Sequence, residues 1–161
     1  MDVFQEAEML RNVPLFGGLS PAQLKLLAFT GSVLRFQPGE ILMTRGDRAD
    51  SAFVILEGTV DVVGETKNGE FVIATQGRNA VVGEMGVISD APRSATVRAR
   101  DAVRALRISG DVFLRLACES PQRALYVMRQ LSARLAQDNA TLASLREQLQ
   151  AAQAAAGQAS K

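Results

Sequence analysis

The stretch GEMGVISDAPRSATVRA, residues 83–99, sets an acid, an arginine and a serine around one turn rich in glycine and proline. A strand-like Ala-Val-Val ends at Gly83, and the next residues, Glu84 to Ser89, can wind into one or two helical turns. The first N–H groups of such a turn have no partner inside it, and a helix start of this kind favours an anion. Arg93 follows one loop later. A guanidinium grips a phosphate through two parallel N–H donors, and Ser94 adds a hydroxyl donor. Glu84 can only accept, so it suits a sugar hydroxyl rather than a phosphate. A ligand that meets all three residues carries a negative group beside a hydroxyl, as a nucleotide does. The same residues allow a simpler alternative, in which Glu84 and Arg93 pair with each other across the turn. If exposed, such a pair contributes about 0–1 kcal/mol.

Composition removes most other chemistry. The 161 residues include no histidine and one cysteine, Cys118. Histidine-based acid–base catalysis, Ser–His dyads and most zinc or non-haem iron sites are therefore excluded. No internal disulfide is possible. No carboxylate pair or lysine is placed as a catalyst would need it, so the expectation is a protein that is not an enzyme and holds no metal or cofactor. A formal net charge of +1 supplies no general attraction for DNA or an acidic membrane. No apolar run approaches the ~18–20 residues that cross a bilayer. The opening MDVFQEAEMLRN is acidic and mixed, unlike a secretory signal, and the chain reads as cytoplasmic. With 47% apolar residues it can bury a sizeable core.

The loop needs a scaffold. In LSPAQLKLLAF, Ser20 is a predicted N-cap, Pro21 takes the first helical position and Gln23 completes a capping box. From Ser32 to Ile108 short apolar or alternating runs are divided by glycine, proline and charged turns, and Asn68-Gly69 is a hairpin signal. Runs this short, without long crossovers, predict an antiparallel sandwich, barrel or jelly roll. Helices then return: a short one capped by Ser109, with Cys118 expected to be a buried thiol on its apolar side, and a longer one from Ser120 with Pro121 at its first position.

The segment from Gly83 to Ala99 resembles the phosphate-binding cassette of cyclic nucleotide-binding domains: Gly-Glu, a short helix, then Pro-Arg-Ser-Ala and a strand. The resemblance extends to VPLFGGLSPAQLKLLA, the Gly46-Asp47 turn, FVILEG with Gly58, and RISGDVFLRL, and so spans about residues 12–145. It implies that Arg93 neutralises the cyclic phosphate, that Ser94 and nearby backbone N–H groups donate to it, and that Glu84 accepts from the ribose 2′-hydroxyl while Gly83 and Met85 shape the sugar pocket. The implied ligand is cAMP, with cGMP as the alternative. The implied fold is α+β: an antiparallel, jelly-roll-like β-roll of about eight strands with an N-terminal helix and two C-terminal helices, the last long. One domain is expected over residues 1–150, with a helical part at 12–30, the roll at 31–108 containing the cassette at 82–99, and helices at 109–150. Residues 151–161 are expected to be a flexible tail.

On the last helix Met128, Leu135, Leu142 and Leu149 form one row and Leu131 and Leu145 another, with Ala124 and Ala152 at its ends. This is the heptad spacing of a two-stranded coiled coil, which predicts a homodimer; the alternative is a lone helix packed on its own domain. Asp138 interrupts the seam and Asn139 follows it. By the resemblance, these two face the purine; otherwise Asp138 is a polar interruption that sets register. Its carboxylate would suit guanine, whereas family habit favours cAMP. No DNA-reading module follows the long helix in this sequence, so nucleic acid is not an expected partner and the effector is unknown. The initial Met and the trailing Ala/Gln-rich tail favour a complete small protein; a fragment of a channel or larger regulator is the alternative. The expected action is that of a sensor: ligand tightens the loop, the short helix at 111–117 shifts, and the long helix repositions or changes the dimer. A structural or oligomerisation module with an unused pocket is the alternative. A metal-dependent enzyme of the cupin type is disfavoured by the lack of histidine.

Overall fold

A computed structural model of the chain describes residues 2–159. Helix α1 (Val3–Leu10), a 3-10 turn (Pro14–Phe16) and α2 (Pro21–Thr30) precede the strands β1 (Ser32–Phe36), β2 (Ile41–Met43), β3 (Ser51–Glu57), β4 (Val60–Thr66), β5 (Gly69–Gln76) and β6 (Val81–Val82). Helix α3 (Glu84–Ser89) leads to β7 (Thr96–Ala99) and β8 (Val103–Ser109), followed by α4 (Gly110–Ala117) and α5 (Pro121–Ala159). The expected α+β roll is therefore the observed architecture. The chain falls into two units, one ending at Glu119 and the other beginning at Ser120 and containing α5.

The strands form two antiparallel sheets, ordered β1-β8-β3-β6 and β2-β7-β4-β5. Between them lies one core, with Phe53, Ile55, Val82, Val103 and Ala105 from the first sheet meeting Met43, Val60, Val97 and Ala99 from the second. The other face of the first sheet is also covered. Ala52, Val54, Leu56, Leu106 and Ile108 pack against Leu10, Leu24, Leu27, Val87 and Phe113 from the helices. That double burial explains why β3 reads as an unbroken apolar run rather than an alternation: successive side chains enter different cores. At about 25 cal/mol per Å² of apolar surface, these two cores supply most of the drive to fold.

Local chemistry fixes the ends of the elements. The Ser20 hydroxyl accepts from the Gln23 N–H at 3.2 Å and the Gln23 side chain accepts from the Ser20 N–H at 2.8 Å, the reciprocal cap that the sequence predicts. Ser109 and Ser120 cap α4 and α5 through the N–H groups of Val112 and Arg123. The β4–β5 hairpin forms, but its tip is Lys67-Asn68, with Thr66 paired to Gly69. Gly69 takes a φ of +111°, so it serves as the left-handed residue after the turn rather than as a tip residue.

Three expectations need adjusting. Helix α1 was not foreseen; its cap is Asp2, whose side chain accepts from Gln5, with Gln5 reaching back. Cys118 is exposed, because it falls at the C-cap of α4, past the last turn that faces the core. The helix expected to give way to a tail at residue 151 continues to Ala159; Ser160 and Lys161 of that tail lie outside the described residues.

A polar clasp closes the roll at the β7–β8 turn. The Thr59 N–H and hydroxyl each donate at 2.8 Å to the Asp101 carboxylate, and these two bonds hold its pKa below the ordinary aspartate value. A depressed carboxylate stabilises the fold above its unfolded pKa, about 3.9, and loses that contribution as pH falls through the folded value. In thermal melts, Asp101→Asn should therefore lower Tm most at pH 6–7, with the gap to wild type narrowing below about pH 4. A gap that stays constant with pH would contradict the clasp.

Candidate functional site

Strand β6 ends at Gly83, whose φ of +84° turns the backbone sharply into α3. A Cβ at this position would sit 2.5 Å from Arg93 Nη1 and 2.7 Å from Met43 Cε. Glycine is required here twice over, for its backbone angle and for the space that the guanidinium occupies. Arg93 lies on the far arm of the loop and only 6% of it is exposed. The turn after β2 holds its backbone: the Gly46 N–H donates to the Arg93 carbonyl at 2.9 Å, and the Arg93 N–H donates to the Asp47 carbonyl at 2.8 Å.

The guanidinium spans two further segments. Nη1 donates to the Gly83 carbonyl at 2.9 Å, and Nη2 donates to the Ser51 carbonyl at 2.7 Å and to its hydroxyl oxygen at 3.4 Å. A guanidinium carries five N–H donors in a rigid fork, so these bonds orient it while leaving further donor capacity. Its ion-pair partner is Asp50, 3.9 Å away. Asp50 also lies 3.5 Å from Arg107 Nη2 and accepts from the Ser51 hydroxyl at 3.0 Å. Burial pushes the Arg93 guanidinium below the usual arginine range; of the charges that oppose this shift, Asp50 acts most strongly, then Asp47 and Glu84, while Arg107 adds to it. Burial alone would raise the Asp50 carboxyl, but the Ser51 hydroxyl, Arg107 and Arg93 together hold it below the ordinary aspartate value.

The structure brings Gly83, Glu84, Met85, Arg93 and Ser94 together on one loop. Glu84 is 2% exposed, at the first position of α3. Met85 is half exposed and Ser94 is exposed. Asp138 and Asn139 lie on α5, in the second unit, with exposed side chains. Sequence reasoning missed Asp50, Ser51 and Arg107. The first two directly follow the Gly46-Asp47 turn that drew notice, but residue type alone does not separate Asp50 from Asp47. Among the described residues no group of three or more His, Cys, Asp or Glu side chains is placed to hold a metal ion, and no helix is long and apolar enough to cross a membrane.

This packing makes Gly83→Ala a sharp test of the loop. The left-handed backbone alone costs a side chain about 1–2 kcal/mol, and the new methyl must also displace Arg93. Urea denaturation should show a lower midpoint with an unchanged slope. An unaltered midpoint would mean that Arg93 and Gly83 are not in contact.

Comparison with known proteins agrees with this geometry. The family model for the cyclic nucleotide-binding domain matches residues 33–120, more than half of the chain and all of the segment from β2 to α4. A cAMP-dependent protein kinase regulatory subunit from Mycosarcoma maydis is 32% identical over 114 residues, covering 68% of this chain and 22% of that protein. The chain thus spans about a fifth of that relative's length. The structure of a cyclic nucleotide-binding-like protein from Brucella abortus is 33% identical, with a TM-score of 0.61, and the match covers 69% of this chain and 96% of that one. The sensor domain of the transcriptional regulator DNR from Pseudomonas aeruginosa shares the fold at a TM-score of 0.76 and 24% identity, over 86% of this chain and 94% of that one. The matching family model, the kinase regulatory relative and the shared two-sheet roll lead to one assignment: the chain belongs to the cyclic nucleotide-binding domain family.

Proposed function

We propose that the chain is a cyclic nucleotide sensor that prefers cAMP to cGMP and catalyses no reaction. The observation that carries this reading is Arg93, a buried cation already oriented by the Gly83 and Ser51 carbonyls at the start of a short helix. Its remaining N–H groups take the ring-closed phosphate, whose single negative charge one guanidinium matches. Ser94 and the first backbone N–H groups of α3 add donors, and Glu84 accepts from the ribose 2′-hydroxyl while Gly83 and Met85 border the sugar. The choice of cAMP rests on the kinase regulatory relative, which is named for it. Asp138 and Asn139 are the proposed purine contacts.

Signal output runs through the C-terminal helices. Ser51, which accepts from Arg93, follows Asp50, whose carbonyl accepts from the N–H of Gly110, the first residue of α4, at 2.8 Å. A phosphate that draws on Arg93 therefore perturbs a segment that holds the start of α4, which leads in sequence to α5. On α5, Met128, Leu135, Leu142, Leu145 and Leu149 are each 54–62% exposed. Water contact along such a row is costly, and a second copy packed in heptad register covers it. The proposed protein is thus a cytoplasmic homodimer whose ligand changes the helix position or the dimer, and whose effector is another protein.

Two experiments test this reading. Removing one partner of a buried, bonded charge pair costs about 3–5 kcal/mol, so calorimetry should show Arg93→Ala weakening cAMP binding by roughly a hundredfold to a few thousandfold. A loss below about threefold rejects the role of Arg93, and a parallel cGMP titration ranks the purines. Separately, Leu135→Asp with Leu142→Asp should convert a dimer to a monomer in light scattering without lowering cAMP affinity by more than about tenfold. A wild-type chain that is already monomeric at micromolar concentration overturns the dimer.

A further inference from the structure

At the end of the roll opposite the cassette, a cleft of about 200 Å³ lies between the end of β1, the end of β3 and the β7–β8 turn. It is lined by Arg35, Phe36, Gln37, Glu57, Val103 and Arg104. β3 runs from Ser51, beside Arg93, to Glu57, so at ~3.3 Å per residue the cleft stands roughly 20 Å from the cassette. It shares no residue with the loop at 83–94.

The strand register makes this cleft cationic. Arg35 on β1 lies directly opposite Arg104 on β8, and Arg104 in turn lies opposite Glu57 on β3. Like charges placed opposite each other on paired strands repel. Arg104, largely buried, gives an Nη2–H bond to Glu57 at 2.7 Å. One carboxylate thus faces two guanidiniums, leaving a net charge of one positive on the three side chains. Arg35 is exposed and has no ion pair or hydrogen bond from its side chain among the described residues. Beside it, the partly exposed Phe36 offers apolar wall.

We propose that this cleft binds a small organic monoanion, a single carboxylate on an apolar body, with Arg35 taking the carboxylate and Phe36 the body. The volume is below the range of about 300–1,000 Å³ typical of drug-sized ligands, which limits the occupant to roughly the size of one amino acid. The Glu57 carboxylate in its lining disfavours dianions such as inorganic phosphate near neutral pH. The same chemistry is offered by a free carboxylic acid and by a carboxylate-bearing side chain of another protein, and free probes of each kind separate them.

The test is an amide-resolved NMR titration of the full chain with benzoate, its neutral isostere benzamide, inorganic phosphate and an acidic N-acetylated, C-amidated aspartyl dipeptide. Benzoate should give saturable shifts at residues 35–37, 57 and 102–104 while residues 83–94 stay still, with benzamide and phosphate at least about tenfold weaker. Arg35→Gln, a change at an exposed side chain, should weaken benzoate about tenfold and leave Tm unchanged. Tighter binding by the dipeptide than by benzoate identifies a protein-borne carboxylate as the occupant. Equal binding of benzoate and benzamide, an unaffected Arg35→Gln variant or shifts centred elsewhere would each overturn the proposal. Because the cleft lies apart from the cassette, cAMP binding measured on the same sample reports independently on the sensor reading.

Discussion

The structure depends on one buried guanidinium. Arg93 joins the Gly83 carbonyl where β6 ends, the Ser51 carbonyl where β3 begins, and through its own backbone the turn at Gly46 and Asp47. A cation taken out of water must find charged or polar partners or lose its charge. Here it finds carbonyl oxygens from two strands of one sheet and a shared carboxylate at 3.9 Å. The carbonyl partners fix its direction without occupying all of its N–H donors. A buried cation that is oriented with donors to spare is what an anion site requires, and the cassette loop is folded around it.

The scaffold explains why that orientation is stiff. β3 and β8 lie at the centre of a sheet packed on both faces, and Ser51 at the start of β3 is 1% exposed. Packed interiors resist small displacements, so an atom anchored there offers a fixed reference. The loop that closes on it is made of short pieces: a two-residue strand, a six-residue helix and a turn in which Asp90 takes a φ of +49°. Rigid sheet on one side and short, strained loop on the other is the usual division between scaffold and binding segment. The Arg93–Ser51 bond is where the two meet.

Much of this was legible in the sequence, for identifiable reasons. Turn residues and capping boxes act over a few positions, so Ser20, Ser109 and Ser120 marked the helix starts, and the eight strands occupy Ser32 to Ser109 where short strands were expected from Ser32 to Ile108. The Gly83, Glu84 and Arg93 constellation was legible because its members share one loop. The rest depended on long-range packing. Ser51 lies 42 positions from Arg93, and no local rule pairs them. Cys118 was misjudged because helical spacing placed it on the apolar side, whereas α4 ends one residue earlier. Helix α1 carried its signal openly in Asp2 and Gln5. The hairpin tip moved by one residue because Asn68-Gly69 also fits a turn whose glycine lies just past the tip.

Two kinds of arginine chemistry emerge on one small roll. At the cassette pole the guanidinium is buried and bonded to backbone; at the far pole one is buried against Glu57 and another stands free. The most direct check of the central claim is a crystal structure of the chain grown with cAMP. The account predicts an Arg93 nitrogen about 2.8 Å from a phosphate oxygen, with the Glu84 carboxylate on the ribose hydroxyl. A bound nucleotide whose phosphate contacts other residues, with no Arg93 nitrogen in hydrogen-bond reach, would contradict it.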